Sequence, residues 1–173
     1  SDIHVKGALE CLDGEEVVFA DDSHEPIDLI VWATGDKVSF PFFQDPELRP
    51  KDNRFPLFKR MMKPGYDNLF FMALAQPLST LVNFAEQQSK LVAAYLAGRY
   101  ALPHKEIVDR KIASDEELYL SHFYDSPRHT MQVDLTIYVD DLLKKIARGE
   151  KRAKQPDANV FRSPRAALQA GAL

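Results

Sequence analysis

The order of the patterned segments predicts an α/β chain, or α+β as an isolated piece, with strands first and long helices after them. Two contiguous apolar runs, Leu29 to Ala33 and Asn68 to Ala75, read as strands buried on both faces. From Ser79 or Thr80 to Leu96, residues Leu81, Phe84, Ala85, Leu91, Val92, Tyr95 and Leu96 recur at three-and-four spacing, the pattern of an amphipathic helix. Regular β-α-β alternation is missing, so the double-sided strands need a sheet that this sequence does not supply. The chain is therefore expected to be the C-terminal part of something larger.

The elements follow in order. Ile3 to Phe19 alternates around Asp13-Gly14, the turn of a two-stranded hairpin, and Ala20 to Pro26 reads as a polar connection. Phe40 to Arg54 carries Pro41, Pro46 and Pro50 among aromatic residues, which predicts a packed irregular loop. Phe55 to Met62 reads as extended, followed by the turn Lys63-Pro64-Gly65 and by the second apolar run, which stops at Gln76-Pro77. Gly98 closes the first helix. Helical texture returns from His104 to Tyr124, with an interruption at Ala113-Ser114-Asp115 where Ser114 would cap a second helix against Glu117. Ser126 to Thr130 breaks it. A last amphipathic helix is expected over Val133 to Arg148, and the tail beyond Gln155 is expected to be loose.

Composition narrows the class. A length of 173 residues supports one substantial core, and a net charge of −4 gives no electrostatic reason to expect nucleic acid or an anionic membrane as partner. Cys11 stands alone, which excludes an internal disulfide framework and fits a reducing compartment. No signal peptide pattern opens the sequence and no apolar run approaches bilayer length, so a cytoplasmic location is expected. The seven glycines stand singly, leaving neither a G-x-G-x-x-G turn nor a P-loop.

Three phrases taken together resemble the C-terminal third of flavin-containing monooxygenases: DLIVWATG (Asp28 to Gly35), NLFFMALAQP (Asn68 to Pro77) and the helix that begins just after it. The stretch RHTMQVDLTIYVDDL (Arg128 to Leu142) is similar to the tail of bacterial members, with Baeyer-Villiger and N-hydroxylating relatives sharing the plan. The resemblance implies a flavoprotein with two dinucleotide-binding domains, one for FAD and one for NADPH, of which this chain is the C-terminal fragment. Residues 1–35 would be the closing strands of the NADPH domain and the crossover. Residues 36–99 would end the FAD domain and include the Pro/aromatic loop, and residues 100–173 would form a helical cover and tail. Both phosphate-binding turns would lie upstream of Ser1.

The same resemblance places cofactor-binding residues. Ala33, Thr34 and Gly35 end a strand with small side chains, which lets backbone approach a dinucleotide; the alternative is a tight turn with no ligand. Asp36 stands where the family commonly has Tyr. Gln76, Pro77, Leu78, Ser79 and Thr80 occupy a strand-to-helix passage, where a helix N-terminus offers N–H groups and positive potential to the N1/O2 edge of a flavin. Alternatively, Ser79 or Thr80 is an N-cap and nothing more. Ser79 replaces a glycine frequent in the family.

Other groups read as structural. His122 and His129 flank Pro127 without metal-pair spacing, and no metal is expected. The neighbours Asp140-Asp141 and Glu116-Glu117 point in different directions on a helix, so paired-carboxylate chemistry is not expected. The basic run Lys144, Lys145, Arg148, Lys151, Arg152 and Lys154 reads as a solvated helix end. No G-x-S-x-G elbow supports a hydrolase. No catalytic residue is assigned.

The activity implied is that of an FAD- and NADPH-dependent monooxygenase, inserting one oxygen atom from O2 into a soft sulfur or nitrogen nucleophile or a ketone. Its partners would be a small-molecule substrate and the remainder of the parent chain. The isolated chain is expected to be inactive, with the loop from Phe40 to Phe58 lining part of the substrate pocket. The alternative is a non-catalytic interaction module that buries its orphan strands in a homodimer.

Overall fold

The computed structural model describes residues 3–121, 123 and 129–155, so His122, Ser126 to Arg128 and the tail beyond Gln155 lie outside the described residues. The chain is mixed α/β with small sheets and three helices, and it separates into two compact units, Ser1–Gly35 and Asp36–Leu173. Each is described by itself.

The first unit is a three-stranded antiparallel meander of β1 (Leu9–Asp13), β2 (Glu16–Phe19) and β3 (His24–Pro26). The hairpin expected around Asp13-Gly14 forms, with Asp13 opposite Glu16 and Leu12 opposite Val17, and Gly14 takes φ +60°. The stretch read as a polar connection contributes β3, whose Glu25 pairs with Val17. Asp21 makes this turn possible: its carboxylate accepts from the Ser23 amide at 3.1 Å and hydroxyl at 2.6 Å, and the chain reverses straight back onto β2.

Leu29 to Ala33 is not a strand. It runs as irregular chain with Leu29 and Val31 each 80% exposed and Trp32 62% exposed. A strand buried on both faces needs a neighbour on each side, and among the described residues nothing pairs with this run.

The second unit is built on α1 (Leu81–Leu96), α2 (Lys105–Leu120) and α3 (Leu135–Ala153). Its main core joins Phe84, Leu91 and Tyr95 of α1 to Tyr138 and Leu142 of α3, to Val108 and Tyr119 of α2, and to Phe58, Met61 and Met62 from the loop before them. The Phe84 and Tyr138 rings meet at 4.5 Å between centroids. A satellite cluster of Leu48, Phe55, Leu57 and Phe71, with Phe40 and Phe43 against it, gives the expected proline-aromatic loop its packing. Within that loop Pro46–Leu48 forms one 3-10 turn capped by Asp45.

The run Asn68 to Ala75 is also not a strand. Its apolar residues divide between two cores, Leu69, Phe71 and Leu74 going to the aromatic cluster and Phe70 and Ala75 to the helical core. That division is reached by turns, with Ala73 at φ +59° and a single bridge from Phe70 to Met62. Phe55 to Met62 is extended only to Leu57, after which Phe58 and Met62 exchange backbone bonds at 2.8 and 3.0 Å around Lys59 and Arg60, both at positive φ. The regular pairing in this unit is short: β4 (Gln76–Pro77) lies parallel to β5 (Gln132–Val133).

The helices match the sequence more closely. Thr80 is the N-cap residue of α1 and Gly98, at φ +72°, follows its end. Helix α2 runs through Ala113-Ser114-Asp115 without interruption. Ser114 does not cap a second helix; its hydroxyl donates to the Lys111 carbonyl at 3.2 Å, a bond made inside the helix. Helix α3 starts after Asp134, whose carboxylate accepts from the Ile137 amide, and it continues past Arg148 because its last turns pack on Tyr100 and Ala101. Among the described residues no helix is long and apolar enough to cross a membrane.

Candidate functional site

The passage from β4 into α1 carries five of the residues singled out from sequence. Pairing with β5 fixes its entry, the Gln76 amide donating to the Met131 carbonyl at 2.8 Å. Thr80 then turns into the helix with extended backbone, φ −71° and ψ 133°, and its side chain makes no capping bond. The first turn of α1 holds no acidic residue, so nothing on the helix neutralises the positive potential of its N-terminus. Leu78 and Val82 are 71% and 77% exposed, and Leu81 is exposed beside them. An apolar lip therefore surrounds an uncapped helix end.

Next to this passage is a cleft of about 140 Å³, lined by Gln76, Ala73, Asp36, Asn53, Thr130 and Met131 among others. Asn53 holds its walls together. Its side-chain carbonyl accepts from the Val38 amide at 2.9 Å, its side-chain amide donates to the Asp36 carbonyl at 3.2 Å, and its own carbonyl accepts from the Thr130 hydroxyl at 2.7 Å. Left-handed backbone at Asp52 and Asn53 turns the chain to reach these partners. Asp36, conspicuous in the sequence, thus lines the same cleft as Gln76.

Ala33, Thr34 and Gly35 belong to the other unit. All three are exposed, and Gly35 takes φ +79° with open space where a Cβ would stand. That conformation is one L-residues resist, which accounts physically for the glycine at the end of the phrase.

Sequence reasoning missed a second polar centre. Lys59 is fully buried, with its ammonium 2.6 Å from Asp115 Oδ2, paired with the Asp141 carboxylate and 3.2 Å from the Tyr119 hydroxyl. Burial works against the Asp141 carboxylate, yet Lys59 and Lys145 together hold it below the ordinary carboxylate value. Burial pushes the Tyr119 hydroxyl well above its usual range. Gln88 of α1, also fully buried, accepts from the Ala73 amide at 2.8 Å and donates to the Lys59 and Arg60 carbonyls. Helical phase alone would have put Asp115 and Gln88 on inward faces. Nothing local announces that Lys59 would meet them.

The remaining candidates sort simply. Asp140 and Asp141 diverge as expected, Asp140 to Lys144 at 2.6 Å and Asp141 inward to Lys59. Glu116 pairs with Arg54 at 2.9 Å. Arg152 of the basic run departs from a purely solvated reading, since two of its nitrogens donate to the Ala101 carbonyl at 3.1 and 2.9 Å. Among the described residues no group of three or more His, Cys, Asp or Glu side chains is arranged to hold a metal.

Comparison with known proteins gives this architecture a family. The family model described as flavin-binding monooxygenase-like matches residues 1–169. Dimethylaniline monooxygenase [N-oxide-forming] 2 of Rattus norvegicus is 30% identical over 172 residues, covering 96% of this chain and 31% of the relative. Flavin-containing monooxygenase 2 of Homo sapiens is 28% identical over the same coverage, and flavin-containing monooxygenase 5 of Mus musculus is 30% identical over 81% of this chain and 26% of its own. The chain thus spans under a third of the length of these curated relatives. With almost the whole sequence matched by the family model, the chain belongs to the flavin-binding monooxygenase-like family.

Proposed function

We propose that the chain is the C-terminal portion of an FAD- and NADPH-dependent monooxygenase, with a bacterial source supported by the stretch from Arg128 to Leu142. The observation that carries the activity is the family match over residues 1–169. A bound flavin would supply the redox chemistry, hydride from NADPH and one oxygen atom of O2 for a small-molecule substrate. Among the acceptors expected from sequence, nitrogen is favoured by the N-oxide-forming name of the relative from Rattus norvegicus, with sulfur and ketones behind it.

The residues present fit a flavin edge. The uncapped N-terminus of α1 offers N–H donors to the pyrimidine side of the ring, where negative charge gathers on reduction. Leu78, Leu81 and Val82 supply apolar surface for a planar ring and exclude water from it. Gln76 and Pro77 would hold the entry, with Gln76 placed to hydrogen-bond a ring heteroatom, and Ser79 and Thr80 would form the approach. Ala33 and Thr34 would bring small side chains, and Gly35 left-handed backbone, to a dinucleotide.

Leu29, Val31 and Trp32, exposed together, favour a surface that is covered in the working protein. The remainder of the parent chain is the cover proposed; a second copy of the chain, as a homodimer without catalysis, is the competing one. Purification of the protein from its complete reading frame tests both readings. The expected result is a flavin absorbance spectrum, NADPH oxidation stimulated by N,N-dimethylaniline with N-oxide formed, and no such activity in residues 1–173 alone. A complete protein without flavin, or a 173-residue chain that light scattering finds as a stable dimer, would overturn the proposal.

A further inference from the structure

A second cavity in the larger unit, about 130 Å³, shares no lining residue with the cleft beside Gln76. Phe58, Met62, Phe70, Leu102 and Val108 form apolar walls around it. Two polar groups on the lining stand out because, among the described residues, neither makes a hydrogen bond or ion pair. The Tyr95 hydroxyl sits on a side chain only 1% exposed and makes no hydrogen bond among the described residues. Asp67 is half-buried and stands on the same lining.

A buried phenol left without a partner is a costly arrangement unless something completes it, and the half-buried Asp67 carboxylate has given up part of its solvation. The two lysines on the lining do not do so. Lys105 is bound to Asp109 at 2.8 Å, and Lys63 sits over the Phe55 ring at 5.3 Å. Burial raises the Asp67 carboxyl. The Phe70 and Tyr95 rings, both on the lining, meet edge to face at 6.0 Å.

We infer that this cavity is a binding site for a small organic cation, an ammonium on a single ring or short alkyl body. The ammonium pairs with the Asp67 carboxylate and donates to the Tyr95 hydroxyl oxygen, while the body fills the space between Phe58, Phe70, Leu102 and Val108. An anion of the same shape would face the Asp67 charge, and a neutral analogue would leave it unpaired. The inference does not depend on flavin or on oxygen transfer.

Titration of the 173-residue chain with benzylammonium, benzyl alcohol and benzoate, followed by ligand-observed NMR, tests it without any catalytic readout. Benzylammonium is expected to bind about tenfold or more tightly than either analogue, the equivalent of one charge-assisted contact. Asp67→Asn is expected to abolish that preference, and Tyr95→Phe, which keeps the ring in the core, to weaken benzylammonium several-fold with the melting temperature checked in parallel. No binding of benzylammonium, equal binding of benzoate or benzyl alcohol, or unchanged affinity in a folded Asp67→Asn chain would overturn the inference. Should Asp67→Asn fail to fold, the ligand preference of the unaltered chain and the Tyr95→Phe result decide it.

Discussion

Lys59 Nζ lies 2.6 Å from Asp115 Oδ2, with both side chains at most 8% exposed. Asp141 completes the pair from α3, so one ammonium ties the turn at Phe58 to Met62 to two helices. Removing the cation strands Asp115 in the interior and leaves Asp141 with Lys145, 3.2 Å away, as its remaining partner. Lys59→Met is therefore expected to destabilise the chain by about 3–5 kcal/mol, the range for breaking a buried ion pair from one side. Replacing Asp115 by Leu in the same chain should recover much of that loss, because Asp141 still pairs with Lys145 and no buried carboxylate is then left alone. Urea denaturation reads both. A loss under about 1 kcal/mol for Lys59→Met would mean the cluster behaves like a surface ion pair.

The same cluster sets an acid limit. The folded carboxyl of Asp141 is held below its ordinary value of 3.8, so its contribution to stability is present above that value and is lost as pH falls through the lower folded one. Urea midpoints should therefore hold between about pH 7 and 5 and fall below about pH 4 as this carboxylate protonates. Asp141→Asn should start from a lower midpoint at neutral pH and show a shallower fall in acid. A fall as steep as that of the unaltered chain would assign the acid sensitivity to other carboxylates.

Gly149 carries a packing role that opposes helix propensity. A Cβ built there would stand 2.0 Å from Tyr100 Cε2, and Tyr100 is buried with the Ala101 amide bonded to the Gly149 carbonyl at 3.1 Å. Alanine favours a helix over glycine by about 1 kcal/mol, whereas overpacking a tight core costs about 1–3 kcal/mol. Gly149→Ala is expected to destabilise, and Gly149→Ala with Tyr100→Leu to recover part of the loss. A raised melting temperature in Gly149→Ala alone would show that Tyr100 yields freely.

The Asp13-Gly14 hairpin and α1 were legible because their signals are local: a turn dipeptide, a three-and-four spacing, a glycine after the last turn. The two apolar runs were misread for a shared reason. Contiguous hydrophobicity says that residues are buried or meant to be covered, but not by what. Leu29 to Ala33 has no pairing neighbour among the described residues, and Asn68 to Ala75 is split between two cores by the left-handed turn at Ala73. The Lys59 cluster joins residues far apart in sequence, and no local pattern records such a meeting. Of the candidate site, the strand-to-helix passage at Gln76 was legible, whereas Asn53 and Thr130, which hold the cleft beside it, look like ordinary loop polar residues.

The uncapped start of α1 gives a prediction with opposite signs in two settings. Thr80 occupies the N-cap position with extended backbone but forms no side-chain cap, so Thr80→Asp should supply one. In the 173-residue chain this is expected to raise stability by about 0.5–1 kcal/mol, through capping and favourable charge at the helix N-terminus. In the complete protein the same carboxylate would occupy N–H groups proposed for the flavin and set a negative charge beside a ring that gains negative charge on reduction. FAD content per chain, read from absorbance after purification, is therefore expected to fall. Thr80→Asn separates the two effects, since it caps without charge and should cost less FAD than Thr80→Asp at similar stability. Full FAD occupancy in Thr80→Asp would remove the N-terminus of α1 from the flavin site, leaving the exposed Leu78, Leu81 and Val82 to be explained by contact with protein instead.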